Sequence, residues 1–444
     1  MSTLSTQPYK GTRDFYPMDM RVRNWIFSRL RKTLRTFGYE EYDGPMLEPF
    51  ELYAAKTSEE IVNEQLYWLV DRGERKLAIR PEMTPTLARM VAAKQNELPR
   101  PIRWFSIPNL WRYERPQRGR LREHWQLNVD TFGGEPITED LEICQVIVAI
   151  MQGFGAESGY EVRLNHRGVT DYIFRELLKL TDDKIPTIGR LLDTAPKMAP
   201  GVFAASLAKE GLEPGQIELL ESLLKKDACT RLAKQLGDNP HFKHLMDLTA
   251  KLDALGVGTF FRYDPSIMRG FMYYTGMVLE VYDLHPENNR ALFGGGRYDN
   301  LVGMFGGNAL PGVGFGMGDV TLRYFLEINK LLPDMKTPRG IYIAHLEDEQ
   351  FMPAQRLAQD MRHRFSDADV DVPVMTSLSP DKPRKIFTTA EKLGARAVVF
   401  VGPDDVKKGE FQMKDLVTGV QTQGPAPTLM VTFMTTYVNE THGV

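Results

Sequence analysis

The chain has 444 residues, 42% of them apolar and 25% charged, with a formal net charge of −3. It is too long for one hydrophobic core, so two or three domains are expected, and any affinity for nucleic acid has to come from local basic patches rather than a global field. Cys144 and Cys229 make neither a C-x-x-C pair nor a disulfide framework, which suits a reducing cytosol. The opening MSTLSTQPYK has no apolar signal region, and no run of about 18 apolar residues is available to span a membrane.

A helix is expected after Pro17, with Val22, Trp25, Ile26, Leu30, Leu34 and Phe37 at helical spacing and Gly38 placed to end it. Arg21, Arg23, Arg29, Arg31, Lys32 and Arg35 fill its remaining faces, as a solvated surface or a binding one. A second helix is expected with Thr138 as N-cap, Glu139 and Asp140 in its first turn, and Leu141, Cys144, Val148 and Met151 along its apolar side. From about 168 to 255, leucine and lysine recur with helical periodicity, which reads as a helical insertion. Strand-like and glycine-rich segments return at 260–283 and 293–307. LLPDMKTPRG (331–340) reads as a linker. Beyond it, GIYIAHL, DVPVMT and RAVVFVG alternate with helices near 352–365 and 381–393, the pattern of a small α/β domain with a mostly parallel sheet.

The stretch WRYERPQRGRLREHWQLNVDTFG (111–133) carries five arginines between Arg112 and Arg122. Side chains alternate between faces along a strand. Arg112 and Glu114 therefore share one face of the first strand. His124, Gln126, Asn128 and Asp130 share one face of the second, and Trp125, Leu127, Val129 and Thr131 the other. Paired as a long-looped hairpin, the two strands present a polar face backed by an apolar one. A half-buried sheet open to water gives the same alternation, but a solvent face favours Lys, Glu and Thr, whereas this one mixes groups able to hold a polar ligand in fixed geometry. Arg115, Arg118, Arg120 and Arg122 in the connecting loop suit phosphate.

This hairpin resembles motif 2 of class II aminoacyl-tRNA synthetases. With PYKGTRDFYP (8–17), LAIRPEMTPTLAR (77–89), MRGFMYYTG (268–276), FGGGRYDNL (293–301) and GEFQMKDLVTGVQT (409–422) in order, nearly the whole chain resembles histidyl-tRNA synthetase. The resemblance implies an α+β fold. An antiparallel class II sheet with flanking helices would span 1–330 and hold the insertion. A linker would follow at 331–338, then an α/β anticodon-binding domain at 339–444. The first helix and YDGPMLEP (42–49) are similar to motif 1, which implies a homodimer.

It further implies ligation of L-histidine to its tRNA through a histidyl-adenylate made from ATP, with Mg2+ expected. Arg112 would clamp the α-phosphate and the histidine carboxylate, with Arg269 opposite it as the second catalytic arginine. Glu82, Met83 and Thr84 would line the histidine site, Glu82 and Thr84 on the α-amino group. Gln126 would contact the carboxylate region, and Asp130 and Tyr274 the imidazole, with Tyr273 beside them. Glu114, Arg120 and His124 would serve ATP. Arg115, Gln117 and Arg118 would serve tRNA. Two positions depart from the family pattern. Met272 stands where aspartate is usual, and GVGFGMGDVTL (312–322) puts Val320 and Thr321 where motif 3 has Glu-Arg. Arg323 lies about 200° further round a helix, a poor substitute. A non-catalytic regulatory subunit of ATP phosphoribosyltransferase, built on the same catalytic fold, and an RNA-binding protein without chemistry are the competing readings.

Overall fold

The structure is a computed structural model describing residues 4–54, 61–225, 228–267, 274–288, 290–335 and 339–441. The chain forms two compact units, Met1–Leu332 and Pro333–Val444.

The sheet and helices that organise the first unit run in the order α1 (Pro17–Thr36), β1 (Glu40–Glu41), α2 (Thr84–Ala93), β2 (Ile102–Ser106), β3 (Asn109–Trp111), β4 (Glu123–Phe132), α3 (Pro136–Gly153), β5 (Tyr160–His166), α4 (Pro240–Ala254), β6 (Phe261–Tyr263), β7 (Met277–Asp283), β8 (Ala291–Arg297), β9 (Gly312–Gly318) and α5 (Asp319–Ile328). The strands make a sheet in the order β1-β2-β4-β9-β8-β7-β5-β6, with β3 paired to β4. It is antiparallel except at its two edges, β1 on β2 and β5 on β6.

Helix α1 begins with Pro17 in its first turn, where a missing N–H costs nothing. It ends as expected at Gly38, whose φ of 79° lets the Tyr39 N–H reach back to the Leu34 carbonyl. Val22, Ile26, Phe27, Leu30 and Leu34 are buried where α1 packs on α3. Helix α3 starts two residues before Thr138, with Pro136 in the first turn and Glu135 at the cap. Proline's preset φ outweighs the hydroxyl cap there. Glu139 and Asp140 are buried rather than solvated, because Arg297 of β8 donates to both, at 3.0 and 2.7 Å.

The segment read as an insertion folds into helices with a core of its own, built from Val169, Phe174, Ile188, Leu207, Leu220 and Phe242 among others. Helix α4 ties it to the sheet unit. His244 Nε2 is 2.8 Å from Asp140 Oδ2, and His241 stacks on His166 at 4.9 Å.

The second unit contains β10 (Ile341–His345), α6 (Phe351–Asp367), β11 (Val374–Thr376), α7 (Pro383–Lys392), β12 (Ala397–Val401), β13 (Phe411–Asp415), β14 (Gln421–Gly424) and α8 (Ala426–Thr441). Its sheet order is β11-β10-β12-β13-β14. Only the first three strands are parallel, so the expectation of a mostly parallel sheet fails in its second half. The turn DLVTGV closes β13 and β14 into a hairpin, with Gly419 at φ 76°, and short turns make antiparallel neighbours.

Candidate active site

The alternation read from the sequence is present in β4. Across the sheet, Asp130 pairs with Gly314 and Gly314 with Gly296. Asn128 pairs with Gly316 and Gly316 with Gly294, while Gln126 pairs with Gly318. Directly paired residues share a face, so the polar side chains of β4 look across strands stripped of side chains. A Cβ on Gly314 would lie 2.2 Å from Asp130 Oδ1, and one on Gly316 2.5 Å from Gln126 Nε2. These glycines make the floor deep enough for a ligand. The period-two glycine pattern in GVGFGMG was the available signal, and reading the hairpin alone misses it. On the opposite face Thr131 pairs with Val313 and Val313 with Arg297, which turns Arg297 toward α3.

One end of the floor is buried. Asp130 is 3% exposed, accepts from the Tyr298 hydroxyl through Oδ1, and among the described residues keeps Oδ2 without a hydrogen-bond partner. Burial pushes its carboxyl up to about 7. Ser106 pairs with Asn128 and so faces the same way. Tyr42 follows β1, its N–H bonded to the Phe105 carbonyl. The Tyr42 and Ser106 hydroxyls lie near one another but outside hydrogen-bonding geometry, and both are buried. Neither was a sequence candidate, because only strand register brings them to this face. Tyr274 lies ahead of β7 rather than in it, with its ring over Gly296. The face it presents is therefore not set by strand parity.

The middle of the floor holds Gln126, whose Nε2 donates to Asn128 Oδ1 at 2.7 Å. Arg112 stands near His124 on the hairpin, its Nε donating to the Pro81 carbonyl at 2.8 Å. The strand ends at Trp111, so Arg112 and Glu114 are not on a regular strand as expected. They nonetheless reach the same place, with Glu114 3.9 Å from Arg112 and 3.8 Å from Arg120. His124 is held down to about 3 by burial first, then by the charges of Arg112 and Arg13, so its ring is neutral. Glu82 is half-buried, and Thr84 opens α2. Met83 is fully buried, with Sδ 3.9 Å from Arg80 Nη1; its side chain belongs to the core. Arg269, Met272 and Tyr273 lie outside the described residues.

The arginine loop is a tight turn. Gln117 and Arg120 exchange backbone hydrogen bonds, and Gly119 takes a φ of 80°. Arg122 is a strut, donating to the Glu114 carbonyl and stacking on Tyr113 at 4.1 Å. Arg118 reaches the Glu287 carbonyl at 3.4 Å and lies over Tyr324 at 5.5 Å. Arg115 is exposed and has no side-chain partner among the described residues. A separate cavity of about 690 Å³, lined by Asp171, Arg175, Asp238 and His241 among others, lies at the insertion and shares no residue with this floor. Among the described residues, no cluster of three or more His, Cys, Asp or Glu could hold a metal.

A floor combining a buried carboxylate, a carboxamide and an adjacent arginine, in a nine-stranded and mainly antiparallel sheet, is the arrangement that the family resemblance requires. The family model for histidyl-tRNA synthetase matches residues 11–320. The chain belongs to the histidyl-tRNA synthetase family.

An anticodon binding domain model matches residues 341–431 of this synthetase, within the second unit. A histidine–tRNA ligase of Leptospira biflexa is 42% identical over 425 residues, covering 94% of each chain. One of Haloarcula marismortui is 35% identical over 424 residues, covering 94% of this chain and 95% of its own. Among solved structures, a histidyl-tRNA synthetase from a Nostoc species superposes with a TM-score of 0.81 at 24% identity, covering 96% of this chain and 98% of that one. That likeness concerns the fold.

Proposed function

We propose that the chain ligates L-histidine to its tRNA in two steps, through a histidyl-adenylate formed from ATP, on the floor described above. The observation that carries the substrate choice is Asp130, a buried carboxylate with one oxygen unpaired among the described residues, at the closed end of a glycine-lined face. An imidazole offers ring N–H donors to such an acceptor. An apolar amino acid in the same place would leave the buried oxygen without a partner, and a site built for hydrogen bonds rejects such analogues strongly. Tyr274 closes the pocket over Gly296, and Tyr273 stands next to it in sequence. Glu82 and Thr84 take the α-amino group.

In the first step the histidine carboxylate attacks the α-phosphorus. One oxygen–phosphorus bond forms as the bond to pyrophosphate breaks. Both reactants are anionic, so catalysis consists of positioning and of neutralising the charge that grows in the transition state. Arg112, braced by the Pro81 carbonyl, clamps the carboxylate and the α-phosphate, and Arg269 is the second catalytic arginine. Gln126 orients the carboxylate end. The neutral His124 ring stacks on adenine, and Glu114 borders it. Magnesium arrives as part of the substrate, on the triphosphate. In the second step the terminal 3′-hydroxyl of the tRNA attacks the adenylate carbonyl and AMP leaves. Arg115, Gln117 and Arg118 face the acceptor end, while the second unit, with its anticodon-binding match, takes the other end.

A regulatory subunit without tRNA has no use for an anticodon domain, and relatives matching nearly the full chain are named histidine–tRNA ligases. The working form is a homodimer in the cytoplasm. In support, Leu47–Pro49, Lys76–Ile79 and Trp68–Val70 form a small sheet with Met46, Leu47, Trp68, Leu69 and Val70 exposed. Exposed apolar side chains gathered on one small sheet suit an interface. Among the described residues no helix is long and apolar enough to cross a membrane. Pyrophosphate exchange that requires histidine, followed by histidine transfer to tRNA, tests the assignment. Absence of exchange from folded protein at saturating substrates would overturn it.

A further inference from the structure

The ATP end of the floor holds a cation that no family motif supplies. Arg290 immediately precedes β8, the strand of Gly294 and Gly296, and its side chain turns onto the arginine loop. Its Nη1 donates to the Arg118 carbonyl. A Cβ on Gly119 would lie 2.4 Å from that nitrogen and 3.4 Å from Thr321 Cγ2. The Arg290 guanidinium and the Thr321 side chain therefore flank one point, and Thr321 is the position at which the motif 3 pattern places an arginine.

The neighbouring groups are otherwise committed. The Thr321 hydroxyl donates to the Leu292 carbonyl at 2.8 Å. Arg323 pairs with Glu327 at 2.8 Å and Asp19 at 3.3 Å, so it is spent elsewhere. Arg290 is half-buried and, among the described residues, no carboxylate pairs with it. Its backbone is anchored. The Arg290 carbonyl accepts from the Asp283 N–H at 3.0 Å, and Asp283 in turn holds Asn288 at 2.7 Å. A guanidinium has five donors in a rigid fork, and most of those on Arg290 are left over. The charges run in sequence from the floor outward, Arg112 to Glu114 at 3.9 Å and Glu114 to Arg120 at 3.8 Å, with Gly119 and Arg290 next.

We propose that Arg290 is a phosphate-binding residue of the ATP site, supplying from the start of β8 the positive charge that Thr321 leaves out. The inference rests on the adenylation reading. A fixed guanidinium with no counter-ion among the described residues, at the end of a row that begins at the α-phosphate clamp, suits the distal phosphates of a bound triphosphate.

The test is histidine-dependent pyrophosphate exchange on wild-type protein, Arg290→Ala, Arg290→Lys and the double variant Arg290→Ala/Thr321→Arg. Arg290→Ala is expected to lower kcat/KM for ATP about 100-fold, with the histidine KM within about twofold. Arg290→Lys should retain part of the activity. The double variant should recover about tenfold or more over Arg290→Ala, since it returns the charge to the same point. A strut for the Gly119 turn predicts no such rescue, because Thr321→Arg does not restore the bond to the Arg118 carbonyl. An unchanged kcat/KM for ATP in Arg290→Ala, or a loss that Thr321→Arg fails to recover, overturns the proposal. No exchange by wild-type protein would instead overturn the adenylation reading.

Discussion

Gly314 stands directly opposite Asp130, so close that a methyl group on Gly314 would lie 2.2 Å from Asp130 Oδ1 and 2.5 Å from the Val129 carbonyl oxygen. The second neighbour is backbone and cannot swing aside. Gly314→Ala is expected to destabilise the protein by about 1–3 kcal/mol through overpacking and to raise the KM for histidine by roughly tenfold or more by displacing the carboxylate. A variant with wild-type histidine KM would separate Asp130 from the substrate.

Asp130 also predicts a pH dependence. Its carboxyl is raised by burial from 3.8 to about 7. Between those values the folded state holds a proton that the unfolded chain has released, so this group's contribution to stability falls as pH rises and levels off above about 7. Asp130→Asn removes the titration. The stability of the wild type relative to this variant should therefore drop by a few kcal/mol across that window, at about 1.4 kcal/mol per pKa unit. Parallel denaturant curves for the two proteins at every pH would contradict a buried Asp130 whose carboxyl is raised to about 7.

Arg297 is 3% exposed and donates to Asp140 at 2.7 Å, Glu139 at 3.0 Å, Asp299 at 3.2 Å and the Pro136 carbonyl at 2.9 Å. Arg297→Met strands buried carboxylates and is expected to destabilise by about 3–5 kcal/mol. Acid should restore part of the loss, since burial already raises the Glu139 carboxyl and protonation neutralises it. An unchanged unfolding midpoint would mean that the cluster contributes nothing net.

Among the described residues Arg115 has no side-chain partner, whereas Arg118 is braced on Glu287 and Tyr324. Arg115→Ala is expected to weaken tRNA binding and to reduce the slope of log K against log salt by about 0.7–0.9. Exchange without tRNA should be unaffected. Loss of exchange with tRNA affinity intact would assign Arg115 to the ATP site.

Ending the chain after Leu332 leaves the first compact unit whole. Adenylation should persist in that protein while transfer to tRNA falls sharply. A folded truncated protein that makes no adenylate would refute this division of labour.

The sequence alone determined the local terms. Period-two alternation placed Gln126, Asn128 and Asp130 on one face, and helical spacing with Gly38 marked α1, because these signals are set by backbone geometry within a few residues. The ordered motifs identified the family, which names Arg112, Glu82 and Asp130 whether or not their neighbours are known. Tertiary structure decided what is set by register and long-range docking. Glycines of GVGFGMG become a floor only when Gly314 and Gly316 pair with Asp130 and Asn128. Ser106 and Tyr42 join that face through pairings no local pattern encodes. Thr138 lost its expected role as N-cap to Pro136, which begins the helix earlier. Arg290 meets the loop across 172 residues. A contact of that span costs chain entropy and is stabilised by the whole packed sheet, so no window of sequence around Arg290 contains the reason for it.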